Sequence, residues 1–374
     1  MRLALVVSSL GRGGAEHTLV ELSRSFIARG EEVTLITLAA PQAGEWLLDA
    51  GVRRLALGTP VGAGSPFTAP GRLLARWRAL RKVLVELRPD VVMSFIDETN
   101  VLVLLACAGS GIPVVVGERI DPRNLSLRAP WRLVRRLAYP RAAAVIVQTQ
   151  SVRTWAQSFL PPDRVHVIPN FPLRLPDEGE ITPEPRRLPL VLGIGRLSPQ
   201  KGFHLLIEAF ASCAMHQPDW RLVILGEGPE RGALERRVAS LGLSERISLP
   251  GFNRHPETIL REAAIFALSS RFEGFPNVLL EAMAWGLPSV SFDCPSGPSE
   301  IVRHGVDGLL VPREDVTALA LALEQLMADD ELRRRMGRSA TEVRERFSRE
   351  RIVQLYLDLF GRVSGNPLRP QSAS

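Results

Sequence analysis

Short apolar runs alternate along this chain with stretches whose apolar positions recur every three to four residues. Residues 3–8 form the first run, and 15–29 carry the helical period. Further strands are expected at 32–37, 90–95, 113–117, 143–148 and 165–168, the last closing on Pro169-Asn170-Phe171-Pro172. The apolar stretch 102–116 contains Gly109, Gly111 and Pro113, so it divides into helix, turn and buried strand. Pro176, Pro183, Pro185 and Pro189 then break the alternation. A second series follows, with strands at 190–194, 221–225, 246–249, 265–268 and 289–292. Its helices fall at 203–213, 230–241 and 256–263, and one starts after Pro276. Helices cover about 316–347, and an amphipathic helix at 351–362 follows. The pattern predicts an α/β chain with two parallel, doubly wound sheets. The expected organisation is a first domain over 1–173, a linker over 174–188 and a second domain over 189–348. A helix at 349–364 packs back toward the first domain, and 365–374 form a disordered tail.

The sharpest chemistry lies at Glu273-Gly-Phe-Pro-Asn-Val-Leu-Leu-Glu281. Pro276 suits the first turn of a helix that Gly286-Leu-Pro288 ends. Glu273 then sits on the loop before the helix, and Glu281 about one turn inside it. The free amides between them favour an anion such as a phosphate. Carboxylates on either side of a phosphate could hold two sets of hydroxyls, a sugar and a ribose. The preceding strand, 263–268, ends where ligands of open α/β sheets gather.

Composition narrows the classes. A chain of 374 residues, 45% hydrophobic, is long enough for two cores. Cys107, Cys213 and Cys294 are far apart and form no disulfide framework or zinc site, which fits a reducing cytoplasm. Residues 1–7 read as a first strand and not a signal peptide. No stretch approaches the roughly 20 apolar residues that span a bilayer. Net charge is +6 overall, and residues 1–173 carry 21 Arg and Lys against 13 Asp and Glu. That excess clusters at 72–82 and 128–139, where Arg is mixed with Trp, Leu and Val at helical spacing. Such stretches suit an anionic membrane surface. No nucleic-acid-binding motif accompanies them.

Three loops add to the picture. Gly11-Arg-Gly13-Gly14-Ala-Glu16, between the first strand and first helix, lets backbone approach a diphosphate or sugar. Glu16 stands where the dinucleotide fingerprint needs its last glycine, so hydride chemistry loses ground. Gly195-Arg196-Leu-Ser-Pro-Gln-Lys201-Gly202 offers two cations to a pyrophosphate. Lysine otherwise occurs only at Lys82, which makes Lys201 a specific demand. Gly226-Glu-Gly-Pro229 and Pro250-Gly-Phe252 are turns at further strand ends. There is no Asp-x-Asp pair for a divalent metal, no zinc spacing among the histidines, no nucleophile elbow and no P-loop.

The loops at 195–202, 226–229 and 273–288 together resemble glycosyltransferase family 4, retaining enzymes of the GT-B fold. In that fold two Rossmann-like doubly wound domains face each other across a cleft. Gly-Pro-Ser-Glu-Ile at 297–301 resembles the branch that builds bacterial surface polysaccharides and lipid-linked glycans, often from UDP-hexoses.

The resemblance implies roles. Arg196 and Lys201 bind the donor diphosphate, and Glu281 holds the ribose hydroxyls. Glu273 contacts the transferred sugar, assisted by backbone around Gly274, Phe275, Asn277 and Val278. From its turn at a strand end, and not from the resemblance, Phe252 is a donor-binding candidate where a base could stack. Gly13 and Gly14 pack on the diphosphate or sugar. Many members place a histidine near the sugar from the first domain. Here that loop reads Val116-Gly117-Glu118-Arg119-Ile120-Asp121, leaving Glu118 and Arg119 as acceptor-side candidates. The implied activity is metal-independent transfer of a hexose from a nucleotide sugar to a glycan or lipid-linked acceptor, with no cofactor. The cysteine usage and the Arg-rich stretches at 72–82 and 128–139 lead to the expectation of a cytoplasmic location at the inner face of the membrane. Glu273 stands either as a nucleophile or as an electrostatic partner of the sugar. A nucleotide-sugar epimerase and a non-catalytic subunit of a glycan assembly complex are the competing readings.

Overall fold

The apolar runs become two sheets in which every strand pair among the described residues is parallel. The computed structural model describes residues 1–11, 13–59, 69–124, 129–176 and 187–365. It divides into two units, Met1–Asn170 with Arg349–Ser374, and Phe171–Ser348.

The first unit holds β1 (Arg2–Val7), β2 (Glu32–Thr37), β3 (Arg53–Ala56), β4 (Val91–Phe95), β5 (Val114–Gly117), β6 (Ala144–Val147) and β7 (Val165–Val167). Their spatial order is β3-β2-β1-β4-β5-β6-β7. Leu3 pairs with Val33 on one side and Val91 on the other, so the order reverses at β1. The inner strands are apolar on both faces, as helix-covered parallel strands must be. The helices are α1 (Gly14–Ala28), α2 (Ala69–Leu87), α3 (Asp97–Cys107), α4 (Ala129–Ala138) and α5 (Gln150–Gln157). The last helix, Arg349–Ser364, also belongs to this unit. Its Tyr356 and Phe360 meet Phe26 of α1 edge-on, with centroids 6.1 and 5.6 Å away. Arg349 Nη1 lies 2.9 Å from Glu21 Oε2.

The second unit orders six strands as β10-β9-β8-β11-β12-β13. They are β8 (Leu190–Ile194), β9 (Arg221–Leu225), β10 (Ile247–Gly251), β11 (Ile265–Leu268), β12 (Ser289–Asp293) and β13 (Gly308–Pro312). Around them lie α6 (Phe203–Ala214), α7 (Arg231–Ser240), α8 (Glu257–Glu262), α9 (Asn277–Ala284), α10 (Pro298–Ile301), α11 (Val316–Ala328), α12 (Asp330–Ala340) and α13 (Val343–Arg346).

Several expectations need correction. Edge strands β3 and β13 were not foreseen. β3 is four residues long, partly exposed and starts on two arginines, a sequence with no apolar run. The passage between units falls at Asn170/Phe171, and Phe171 and Leu173 are buried. Of the expected linker, residues 177–186 lie outside the described residues. Arg187 is no solvated linker residue. It donates to the carbonyls of Ala263 (2.7 Å) and Trp285 (2.6 Å), and burial lowers its pKa to about 10. The expected tail from 366 onward also lies outside the described residues.

One close approach organises the strand ends of the second unit. Past β8 and β9 the two chains stay hydrogen-bonded, Gly195 N to Leu225 O at 2.9 Å and Leu197 N to Glu227 O at 2.9 Å. A Cβ on Gly226 would lie 1.8 Å from the Gly195 oxygen, and one on Gly228 2.2 Å from the Leu197 oxygen. Both obstacles are backbone, so neither can swing aside. Gly226→Ala is therefore expected to destabilise the protein by about 3 kcal/mol in denaturant unfolding. Gly305→Ala, at φ 77° in open space, should cost only about 1 kcal/mol. Equal losses would show that close approach is not what Gly226 provides.

Candidate active site

The loop 195–202 and the segment 269–273 are far apart in sequence and stitched together in space. Ser269 Oγ donates to the Lys201 carbonyl at 2.9 Å, and Gln200 Nε2 to the Phe272 carbonyl at 3.0 Å. The Arg271 amide donates to the Gln200 carbonyl at 2.8 Å, and its Nη1 to the Pro199 carbonyl at 3.0 Å. The aliphatic stem of Lys201 runs over Gly195, where a side chain would crowd it at 3.2 Å. The ammonium ends 2.6 Å from Glu273 Oε1. Two of the residues singled out in the sequence thus form one charge-assisted pair. Arg196 stands exposed on the same loop.

Glu273 is buried at the head of α9. Pro276 is the residue before the helix, which starts at Asn277 as expected, and the amides of its first turn follow it. The Gly274 carbonyl accepts from Ser296 Oγ at 3.2 Å. Burial raises the neighbouring Cys294 thiol to about 12, with the Glu273 charge adding to the rise. That thiol is inert as a nucleophile. Glu281, one turn into α9, is 2% exposed and pairs with Arg174, Nη1 to Oε2 at 3.1 Å. The two glutamates therefore have separate cations. Arg174 escaped the sequence reading; the only signal for it is that a buried carboxylate demands a counter-charge. The Phe275 ring faces the core, edge-on to Phe347 at 5.4 Å, leaving only its backbone for a ligand. Asn277 and Val278 are half-buried in the first turn of α9, and Phe252 is half-buried on the loop after β10. Gly226 and Gly228, read as turn glycines, serve backbone packing as described above.

In the first unit, Gly13 precedes α1 and Gly14 begins it. The Glu16 carboxylate folds back over Gly13, 2.0 Å from where a Cβ would stand. His17 stacks on Trp46 with centroids 3.9 Å apart. Glu118, at the carboxyl end of β5, is 2% exposed and enclosed in a polar network. Tyr139 Oη donates to its Oε1 at 2.6 Å. Asn100 Nδ2 donates to Tyr139 Oη at 3.1 Å and accepts from Ser94 Oγ at 2.8 Å through Oδ1. Arg135 Nη1 lies 3.5 Å from Asp97 Oδ2 and 4.0 Å from Glu118 Oε1. Its guanidinium sits 4.8 Å over the Trp155 ring. Arg135 is thus a correction to the basic stretch 128–139, because its charge points inward. Arg128 lies outside the described residues. Arg119 is pinned over the Phe95 ring at 4.4 Å, with Nη1 3.4 Å from Tyr356 Oη and Nη2 bonded to Asn170. Burial lowers its pKa. Among the described residues, no three His, Cys, Asp or Glu side chains converge as metal ligands.

Burial, and then the charge and hydrogen bond of Asp97, hold the Glu118 carboxyl well above its usual range. Raised in this way, Glu118 holds its proton to higher pH than a free carboxyl, and Arg135 faces both acids. Glu118→Gln keeps a hydrogen-bonding group of the same shape and should alter stability by less than about 1 kcal/mol. Glu118→Ala strips Tyr139 of its acceptor and should cost about 3 kcal/mol. The unfolded chain loses this proton near pH 4.3 and the folded protein keeps it to higher pH, so stability falls as pH rises above that value. Glu118→Gln should flatten that fall in unfolding curves recorded across pH; an unchanged slope would assign the proton elsewhere.

Known proteins share this architecture. A sequence model of Glycosyltransferase Family 4 matches residues 12–171, and one of Glycosyl transferases group 1 matches 177–343. An alpha-1,4-N-acetyl-D-galactosaminyltransferase of Campylobacter jejuni, acting on an undecaprenol-linked glycan, is 29% identical over 97% of this chain and 99% of its own length. The exopolysaccharide phosphotransferase SCO2592 of Streptomyces coelicolor is 34% identical over 76% of this chain, which spans only 31% of that protein. HepE of Anabaena superposes with a TM-score of 0.77 at 21% identity, over 97% of this chain and all of that one. TarM of S. aureus gives 0.79 at 14% identity, over 96% and 99%. Both halves of the chain being matched in this way, the protein belongs to glycosyltransferase family 4, adopts the GT-B fold and is a glycosyltransferase.

Proposed function

We propose that the chain is a retaining, metal-independent hexosyltransferase. It moves a hexose from a UDP-sugar to a glycan or lipid-linked acceptor in the synthesis of a cell-surface polysaccharide. The observation that carries this reading is the pairing of Lys201 with Glu273 at 2.6 Å, on a loop that also presents Arg196 and beside the first turn of α9. The leaving group is a nucleoside diphosphate whose charge grows as the glycosidic bond breaks. Arg196, the Lys201 ammonium and the α9 amides meet that charge without a metal. Glu273 faces the sugar, and Glu281 accepts from the ribose hydroxyls. The C1–O bond to phosphate breaks with its electron pair going to phosphate. The acceptor oxygen bonds C1 on the same face, and its proton passes to a phosphate oxygen. Anabaena HepE in complex with UDP-glucose and S. aureus TarM in complex with UDP support the choice of donor. Relatives in undecaprenol-linked glycan and amylovoran synthesis support the choice of acceptor.

The protein works at the inner face of the membrane without crossing it. No helix among the described residues is long and apolar enough to span a bilayer. On α4, Leu133 and Leu137 are each 60% exposed beside Arg132 and Arg136, while Ala138 faces the core. On α2, Leu73, Leu74 and Val85 are exposed among arginines. Apolar residues flanked by arginine suit an anionic interface.

Transfer from a UDP-hexose should persist in excess chelator. Lys201→Ala should lower kcat about 100-fold, and Glu281→Ala should act mainly on donor KM. Full activity in both variants would overturn these assignments. Sugar altered and released without an acceptor would indicate an epimerase.

Co-sedimentation should favour anionic over neutral vesicles. The double variant Leu133→Asp, Leu137→Asp should reduce binding about fivefold or more. Equal partitioning of the parent protein to both lipids would remove the electrostatic attraction.

A further inference from the structure

Glu281 is a carboxylate enclosed in the second turn of α9, and an enclosed carboxylate stays ionised only beside a cation. The cation comes from outside the site's motifs. Arg174 follows the passage between units by four residues, on a segment rooted by buried Phe171 and Leu173. Its guanidinium spreads over several partners. Nη1 lies 3.1 Å from Glu281 Oε2, Nε 3.5 Å from Glu257 Oε1, and Nη2 donates to the Arg254 carbonyl at 3.4 Å. A planar fork held at several points cannot turn freely, so the carboxylate it grips cannot either.

We propose that Arg174 is a positioning residue of the nucleotide site, holding Glu281 ionised and oriented for the ribose hydroxyls. This rests on the nucleotide-sugar reading above. A hydroxyl donates well to a fixed carboxylate and poorly to one that is protonated or rotated. Arg174 therefore acts on the ribose through Glu281. Its effect is specific to one part of the donor, which a merely structural role would not be.

Calorimetric titration of the full chain with UDP and with 2′,3′-dideoxy-UDP separates the possibilities. Arg174→Met should weaken UDP binding about tenfold, the loss expected for charge-assisted hydrogen bonds. It should leave dideoxy-UDP binding within twofold of the parent protein. In turnover, donor KM should rise by a similar factor with kcat little changed. Arg174→Lys keeps the charge and loses the fork, so its effect on UDP should be intermediate. It decides the matter if Arg174→Met does not fold. Equal weakening of both nucleotides would place Arg174 on the phosphates or in the general fold, and would overturn the proposal. Unchanged UDP binding in either folded variant would overturn it as well. A parent protein that binds neither UDP, GDP nor ADP would defeat the functional reading itself, an outcome distinct from the others.

Discussion

Two backbone contacts set the geometry of the second unit's strand ends. Gly226 and Gly228 lie so close to the carbonyls of Gly195 and Leu197 that no side chain fits at either position. The loop 195–202 is thereby fixed to the sheet. Lys201 inherits its place from that loop, and Glu273 is held by Lys201. The start of α9 follows Glu273, and Glu281 follows α9. A series of charged groups is thus located by atoms that carry no net charge.

The site glutamates of the second unit and the Glu118 cluster of the first are balanced differently. In the second, each glutamate has its own cation, Lys201 for Glu273 and Arg174 for Glu281. Both carboxylates are thereby available as hydrogen-bond acceptors. In the first, Asp97 and Glu118 both face Arg135, and burial holds the Glu118 carboxyl well above its usual range. A carboxyl that keeps its proton can donate as well as accept. Tyr139, Asn100 and Ser94 extend that network into the core. Ile96 turns the chain into α3 at φ 76°, a region β-branched residues seldom enter. The strain lies next to Asp97.

Much of this was legible in the sequence because it is local. Strands buried on both faces announce themselves as apolar runs, and turn glycines mark their ends. The loop with Lys201 and the helix with Glu281 followed from short patterns. What escaped reading depends on partners distant in the chain. β3 sits at a sheet edge, where one neighbour suffices and a continuous apolar run is not needed, while the apolar run of β13 is only Leu309-Leu310-Val311. Arg187 lies among prolines and charges, yet its guanidinium is spent on the carbonyls of Ala263 and Trp285. Arg135 shares its helical stretch with exposed arginines, and only the fold reveals that it faces Asp97. Arg174 and Glu281 are separated by most of the second unit's first five strands, and no periodicity links them. An arginine-rich sequence hides its structural arginines among its solvated ones.

The last helix gives the chain an order of completion. Phe26, in the first helix, is covered by Tyr356 and Phe360, and Glu21 waits for Arg349. The whole of Phe171–Ser348 is synthesised between those two sets of residues. On the ribosome the unit begun first is therefore finished last. Its apolar flank stays open while the second unit, whose contacts are contiguous in sequence, can already close. A nascent chain stopped at Ser348 would carry a complete second unit and an uncovered first one, so the sixteen-residue helix acts as the clasp of the unit synthesised before the second.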